Sequence, residues 1–289
     1  MKTIIVTGAS GLVGSHLLPL FGPDQEIHVL TRQPPAAAAP AYVHYHQIDL
    51  AGGFDEEALP QRIDGVIYLA QSNHFRDFPE RALDIFEVNV ASPLRLLDYA
   101  RRAGARAFVS ASSGGVYGSG ERGLSEDISI PASGNLGFYL STKLCGEILA
   151  ENYAPYMNVA VLRLFFAYGR GQKRSMLIPR LVDNVRAGNP VALQGADGIR
   201  INPVHAGDAA RAVKAALALE GCARINVAGP DILSIREICE TIGAKVGREP
   251  VFAVDESQIG RNLIGDIDRM RAQLVAPRRR FRDSLDDIL

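Results

Sequence analysis

Cysteine is scarce in this chain. Cys145, Cys222 and Cys239 are odd in number and widely spaced, which argues against a disulfide framework and fits reduced thiols in a cytoplasmic protein. Histidine is thin as well. Of six, His44 and His46 alternate on one face of an expected strand, and none shows zinc-ligand spacing, so no metal is expected. Neither sign of charge dominates: the net charge is −1, which argues against nucleic acid or an anionic membrane as partner. The cluster Arg278–Arg280 reads as a solvated end. No apolar run reaches transmembrane length, and Lys2 opens onto a strand pattern rather than a signal peptide. What remains is an ordinary globular composition, 47% hydrophobic and 22% charged over 289 residues, enough for a large domain with a smaller partner.

Within that composition one stretch organises the rest. Thr3–Leu18 reads TIIVTGASGLVGSHLL, with Gly8, Gly11 and Gly14 three apart between an apolar strand and an apolar helix start. Gly8 permits a tight turn, Gly11 lets backbone approach a phosphate, and Gly14 lets helix pack on strand, while the helix N-terminus favours negative charge. This is a dinucleotide-site pattern. Pro19 should end the helix Leu12–Phe21 early. Further strands are expected at Glu26–Leu30, Tyr42–Ile48, Gly65–Ala70, Arg106–Ser110 and Val159–Phe166, and helices at Pro79–Ala103 and Phe138–Tyr153, with a surface loop at Gln33–Ala41. Such alternation predicts an α/β fold with a parallel doubly wound sheet. The pattern loosens after Tyr168. Residues 1–167 with about 199–219 are therefore expected to form the sheet domain, and 168–198 with 220–289 a smaller mixed α/β lobe over the strands' carboxyl ends.

Tyr139 and Lys143 stand four apart, which puts both on one helix face. Tyrosine titrates near 10, and a neighbouring ammonium favours its phenolate. Such a pair can pass a proton to or from a hydroxyl or carbonyl oxygen. Ser112 and Ser113 close the fifth strand ahead of Gly114, Gly115, Val116, Tyr117 and Gly118, where a serine is placed to hydrogen-bond a substrate oxygen.

In chain order these features resemble the extended short-chain dehydrogenase/reductase family, the NAD(P)-dependent sugar epimerase/dehydratase group. The resemblance runs through TGASGLVG, VIYLA, VNVASPLRLLDYA, SSGGVYG, YLSTK, LRLFFAYGRGQ, NPVHAGDAARA and INVAGPDILSIREI. It implies a Rossmann sheet, Ser113 orienting the substrate oxygen, Tyr139 as proton donor or acceptor, and Lys143 tuning Tyr139 and holding the nicotinamide ribose. It also implies that Gly8, Ser10, Gly11, Leu12 and Gly14 cradle the pyrophosphate. Asp49 and Leu50 would border the adenine, Ala70 the ribose, and Asn89 would lie behind the cofactor. A homodimer is implied through a four-helix interface that includes Leu94, Leu97, Leu144, Ile148 and Leu149.

Three departures from the group narrow the reaction. Arg32 ends the second strand where NAD enzymes place an acid; a guanidinium matches a 2′-phosphate, so NADP is expected, with NAD as the alternative. Gly114 and Gly115 stand where related sugar 4,6-dehydratases carry an acid pair, so dehydration is not expected. Phe166 replaces an asparagine that contacts the substrate diphosphate, which leaves Arg200 as a candidate diphosphate ligand, and Asp208 is expected to cap the helix Ala209–Leu219. The expected reaction is hydride transfer at a secondary alcohol or ketone of a sugar-nucleotide-like substrate. An NADPH-dependent ketoreductase comes first, a nucleotide-sugar epimerase with retained NAD(P) second, and a non-catalytic dinucleotide sensor third.

Overall fold

The computed structural model describes every residue except 36–37, 119, 121–122 and 131–135. The expected surface loop Gln33–Ala41 thus lies partly outside the described residues. In chain order the first half comprises β1 (Lys2–Thr7), α1 (Leu12–Leu17), β2 (Gln25–Thr31), β3 (Val43–Gln47), β4 (Gly65–Tyr68), α2 (Ala82–Phe86), α3 (Ser92–Arg102), β5 (Ala107–Ser113) and α4 (Phe138–Glu151). The second half comprises β6 (Asn158–Leu164), α5 (Leu177–Ala187), β7 (Val191–Gln194), β8 (Arg200–Ile201), α6 (Ala206–Ala216), β9 (Cys222–Val227), β10 (Leu233–Ser234), α7 (Ile235–Val246) and β11 (Phe252–Asp255).

Seven strands form one parallel sheet in the order β3-β2-β1-β4-β5-β6-β9. Helices cover both faces, so the central strands read as unbroken apolar runs: all four residues of β4 are buried. On one face Ile4 and Val6 pack with Val13, Leu17, Ala209 and Val213 of α1 and α6. On the other, Ile5, Val66 and Phe108 pack with Leu96, Leu97, Ala100 and Ala150 of α3 and α4. Strand order reverses between β1 and β4, and ligands bind such sheets at the carboxyl end of that reversal. The lobe has its own core, where Ile178, Leu181 and Val185 of α5 meet Ile238 and Ile242 of α7, with Phe281 and Leu285.

Four details differ from the sequence expectation. The seventh strand, β9, comes from a stretch expected in the lobe; it extends the sheet beside β6. The long helix expected over Pro79–Ala103 is broken by a five-residue π turn at Glu87–Ala91. Pro93 supplies a cause: without an N–H it cannot bond the Asn89 carbonyl four residues back, and the helix widens there. His205, not Asp208, caps α6, its ring accepting from the Gly207 N–H at 3.0 Å. Asp208 is buried and accepts instead from the Arg278 and Arg279 N–H groups, at 2.7 and 2.8 Å, tying the C-terminal segment to α6. Leu97 is a core residue, 1% exposed, which removes it from any interface; Leu94 and Ile148 do face outward. Among the described residues no helix is long and apolar enough to cross a membrane.

Candidate active site

The glycine turn leaves β1 at the reversal point. Gly8 has φ +68°, and a Cβ there would lie 2.6 Å from the Leu69 carbonyl carbon. A Cβ on Gly14 would lie 2.2 Å from the Gly8 carbonyl oxygen, so α1 packs against the turn at a distance only glycine allows. Gly11 is the N-cap of α1 and, with Ser10, is exposed at the tip; Leu12 is half-buried. The backbone is thus open where phosphates would approach and closed where protein packs. That is the division of labour a pyrophosphate cradle needs.

A chain of hydrogen bonds leads from this turn to the tyrosine. Thr7 Oγ1 accepts from the Ala70 N–H at 3.1 Å, and the next residue, Gln71, accepts from the Tyr139 hydroxyl at 2.8 Å. Beside it Asn89, 4% exposed in the π turn, accepts from the Ser72 N–H and donates to Thr142 Oγ1 at 3.0 Å. Thr142 in turn donates to the Tyr139 carbonyl at 2.7 Å. Asn89 therefore acts through α4: it fixes the height of Tyr139 against the loop after β4. Phe75 packs on the Tyr139 ring at 5.3 Å between centroids.

Lys143 is buried one turn along α4, its Nζ donating to the Ala111 carbonyl at 3.2 Å and lying 6.0 Å from the Tyr139 ring centre. Burial lowers its pKa to about 8, against the opposing pull of the Glu147 carboxylate. The same cleft raises the Tyr139 hydroxyl above the ordinary tyrosine value. Desolvation is the cause, so the shift runs opposite to the lowering expected from the nearby ammonium, and Tyr139 rests protonated, donating to Gln71. Ser113, at the end of β5, accepts from the Gly115 N–H at 3.1 Å, which leaves its own proton free to point outward. Beneath these groups Glu147 receives the Ser112 hydroxyl and a buried Arg163, whose Nη2 lies 2.6 Å from Oε2.

The remaining expected residues are spread more widely. Arg32 is exposed directly after β2, and Asp49 is exposed just after β3, where it closes a turn by accepting from the Ala51 N–H. Leu50 is buried, its carbonyl accepting from Ser92. Phe166 has φ +43°, a conformation asparagine tolerates far better than phenylalanine. Its ring offsets that strain by packing on both the sheet core and the lobe core. Arg200 is not brought to this group: it lines a cleft of about 540 Å³ formed by lobe residues, among them Asp197, Glu237, Gln258 and Asn262. The sequence marks Gln71 only as the first residue of the loop Gln71–Phe78, expected to bear on substrate choice, and gives no sign of its contact with Tyr139.

The sequence and fold have counterparts among known proteins. Residues 4–228 match the model of the NAD dependent epimerase/dehydratase family. The chain is 28% identical to a dTDP-glucose 4,6-dehydratase of Streptomyces griseus, over 90% of this chain and 88% of the relative. It is 27% identical to a dTDP-4-dehydro-6-deoxy-D-allose reductase of a Streptomyces species, over 89% and 85%. Among solved structures, MoeE5 in complex with UDP-glucuronic acid and NAD superposes with a TM-score of 0.79 at 27% identity, covering 99% of this chain and 97% of that one. The UDP-glucuronic acid 4-epimerase of Bacillus cereus shares the fold, with a TM-score of 0.85 at 24% identity over 99% and 97%. The chain belongs to the NAD-dependent epimerase/dehydratase family, a branch of the extended short-chain dehydrogenases/reductases.

Proposed function

We propose that this enzyme epimerises a nucleotide sugar at a secondary hydroxyl, with a nicotinamide cofactor retained through the cycle. The observation that carries the reading is the closed space after Ser113. A Cβ on Gly114 would lie 2.5 Å from the Phe165 ring, and one on Gly115 would lie 2.9 Å from Leu140. Glycine at both positions supplies no acid pair of the kind water elimination needs, which supports epimerisation over the reaction named for the Streptomyces griseus relative. What is left is a proton-handling tyrosine, a serine donor and a cofactor cradle, which suffice for oxidation and re-reduction at one carbon.

The residues fit the cofactor. Gly8, Gly11 and Gly14 would hold the pyrophosphate, Ala70 would flank the ribose, and Asp49 and Leu50 would border the adenine. Arg32 at the end of β2 favours a 2′-phosphate, hence NADP, although MoeE5 is described with NAD. The bound nicotinamide supplies a hydride acceptor that can return the hydride to either face of the sugar. Ser113 would donate to the reacting oxygen; Tyr139, its own proton first released to solvent and its phenolate held beside the Lys143 ammonium, would take the hydroxyl proton in the oxidation and return it in the reduction. Lys143 steadies the charge that develops on Tyr139. The substrate class follows MoeE5, described with UDP-glucuronic acid and with UDP-glucose. Phe166 offers no hydrogen bond to a substrate diphosphate, and Arg200, which lines the separate lobe cleft, is not placed beside the tyrosine–lysine pair to replace it.

A ketoreductase is the second reading, favoured by Arg32 and by the likeness to the allose reductase. The two separate in one experiment: purified protein with UDP-sugars and no added cofactor, followed by proton NMR and by nicotinamide absorbance. Epimer formation without net absorbance change supports the proposal; stoichiometric NADPH consumption with a keto substrate supports the reductase. Cofactor binding with no hydride transfer to or from any such substrate would leave the dinucleotide sensor standing. Outward-facing Leu83, Phe86, Leu94 and Ile148 on α2, α3 and α4 support a homodimer through these helices, and a monomeric mass by light scattering would refute it.

A further inference from the structure

Along β2 and β3, the sheet's register assembles a group of side chains that sequence spacing separates by up to twenty residues. His28 of β2 pairs directly with His44 of β3, and Leu30 pairs with His46. Side chains alternate along a strand, so Glu26 and His28 share a face with His44 and His46. Glu26 Oε1 lies 3.5 Å from His28 Nε2 and 3.2 Å from His44 Nε2, and the three donor atoms lie within 4.8 Å of one another. For tetrahedral zinc with ligands at about 2.0–2.1 Å, the ligand-to-ligand edge is about 3.3–3.4 Å. The two measured edges bracket that value.

His28 makes the case independent of proximity. It is 9% exposed, and its Nε2 is buried with no hydrogen-bond partner among the described residues. Its other nitrogen, Nδ1, is held by His46 Nε2 at 2.8 Å. When Nδ1 carries the proton and donates to His46, a bare lone pair on Nε2 faces Glu26 and His44. An outer partner on the second nitrogen is the usual way a ligating histidine is oriented. Thr3 Oγ1 approaches Glu26 through Oε2, leaving Oε1 to face the two imidazoles.

The geometry points to a divalent transition-metal site of the zinc class, with Glu26, His28 and His44 as ligands, His46 as the positioning residue behind His28, and water at the fourth position. Glu26 and His44 lie at the solvent side, so that position is accessible. An ion there bridges β2 to β3, the outermost strand, which is hydrogen-bonded to β2 alone in the sheet. The same two strands lead to Arg32 and Asp49, so the clip would steady the adenosine end of the cofactor site without touching the reaction.

The test uses the untagged full chain, stripped with chelator and titrated with zinc chloride, then with cobalt chloride for its visible spectrum. The expected result is one zinc retained per chain after gel filtration, tetrahedral-type cobalt bands, and slower hydrogen exchange across Val43–Gln47 when zinc is bound. His44→Ala removes an exposed ligand without opening the core and is expected to weaken zinc binding at least tenfold. Glu26→Gln should do the same, with circular dichroism confirming that both variants fold. Absence of retained zinc in the wild type overturns the proposal, and so does equal affinity in wild type and both folded variants.

Discussion

Replacing Glu147 by glutamine probes the support beneath the tyrosine–lysine pair. Arg163 is 1% exposed and Glu147 3%, and the guanidinium binds the carboxylate through Nε and Nη2 at 2.6–3.2 Å. Arg163 Nη1 already has no hydrogen-bond partner among the described residues, so the carboxylate is its main compensation, with the Tyr117 ring 4.5 Å away. Glutamine keeps the shape and removes the charge. Breaking a buried pair this way costs about 3–5 kcal/mol, because a charge is left without its partner. Unfolding entropy near 2.1 cal/mol/K per residue gives roughly 0.6 kcal/mol/K for a chain of this length, so Tm falls by about 5–8 °C. Urea unfolding and calorimetry read both quantities. A second readout follows from Lys143: Glu147 supports its charge, so the alkaline limb of the activity profile should move below the wild-type position near pH 8. The double variant Glu147→Leu with Arg163→Met should recover much of the stability but not the profile. A cost for Glu147→Gln under about 1 kcal/mol, with an unmoved alkaline limb, would refute the reasoning.

Three further outcomes are expected. Gly14→Ala places a Cβ 2.2 Å from the Gly8 oxygen, so overpacking should cost about 1–3 kcal/mol and weaken dinucleotide affinity, both measurable by denaturation and fluorescence titration. Arg32→Asp should lose one charge-assisted contact to a 2′-phosphate, about 1.5–3 kcal/mol or roughly 10- to 100-fold in NADPH affinity, while NADH binding holds or improves; equal wild-type affinities for the two cofactors would refute the role of Arg32. Because Lys143 has a lower pKa folded than unfolded, the unfolded chain binds more protons between about pH 8 and pH 10. Wild-type stability should therefore rise across that window relative to Lys143→Met, and a difference that falls or stays flat would contradict the burial of Lys143.

Much of the parallel sheet was legible because buried strands in such sheets carry apolar runs bounded by turns, as the VIYLA and VAVLRL stretches do here. The glycine turn was legible for a related reason: tight backbone approach leaves glycine as its trace. The features that escaped depend on partners distant in sequence. β9, CARINV, is exposed or half-buried over its first three residues and buried only over its last three, so its membership in the sheet rests on β6 and not on its own pattern. His205 caps α6 with an imidazole, outside the usual Ser, Thr, Asp and Asn set. Gln71 meets Tyr139 across 68 positions, and the pKa of Tyr139 is set by the walls of the cleft, which no spacing encodes. His28 and His44 became neighbours only once the strand register was known.

The position of β9 has a bearing on how the protein is made. Every residue of the tyrosine–lysine site and the glycine turn lies before residue 144, yet β6 gains its outer neighbour only when Cys222–Val227 has been synthesised. Until then the outer edge of β6 presents unpaired N–H and C=O groups beside an apolar surface, a template for association with other chains. A truncated protein ending at Leu219 would keep the glycine turn, Ser113, Tyr139 and Lys143 and still be prone to aggregate. The lobe segments α5 to β8, which leave the sheet after β6 and return before β9, are therefore an insertion that the sheet must wait for, and not an appendage that can be cut away.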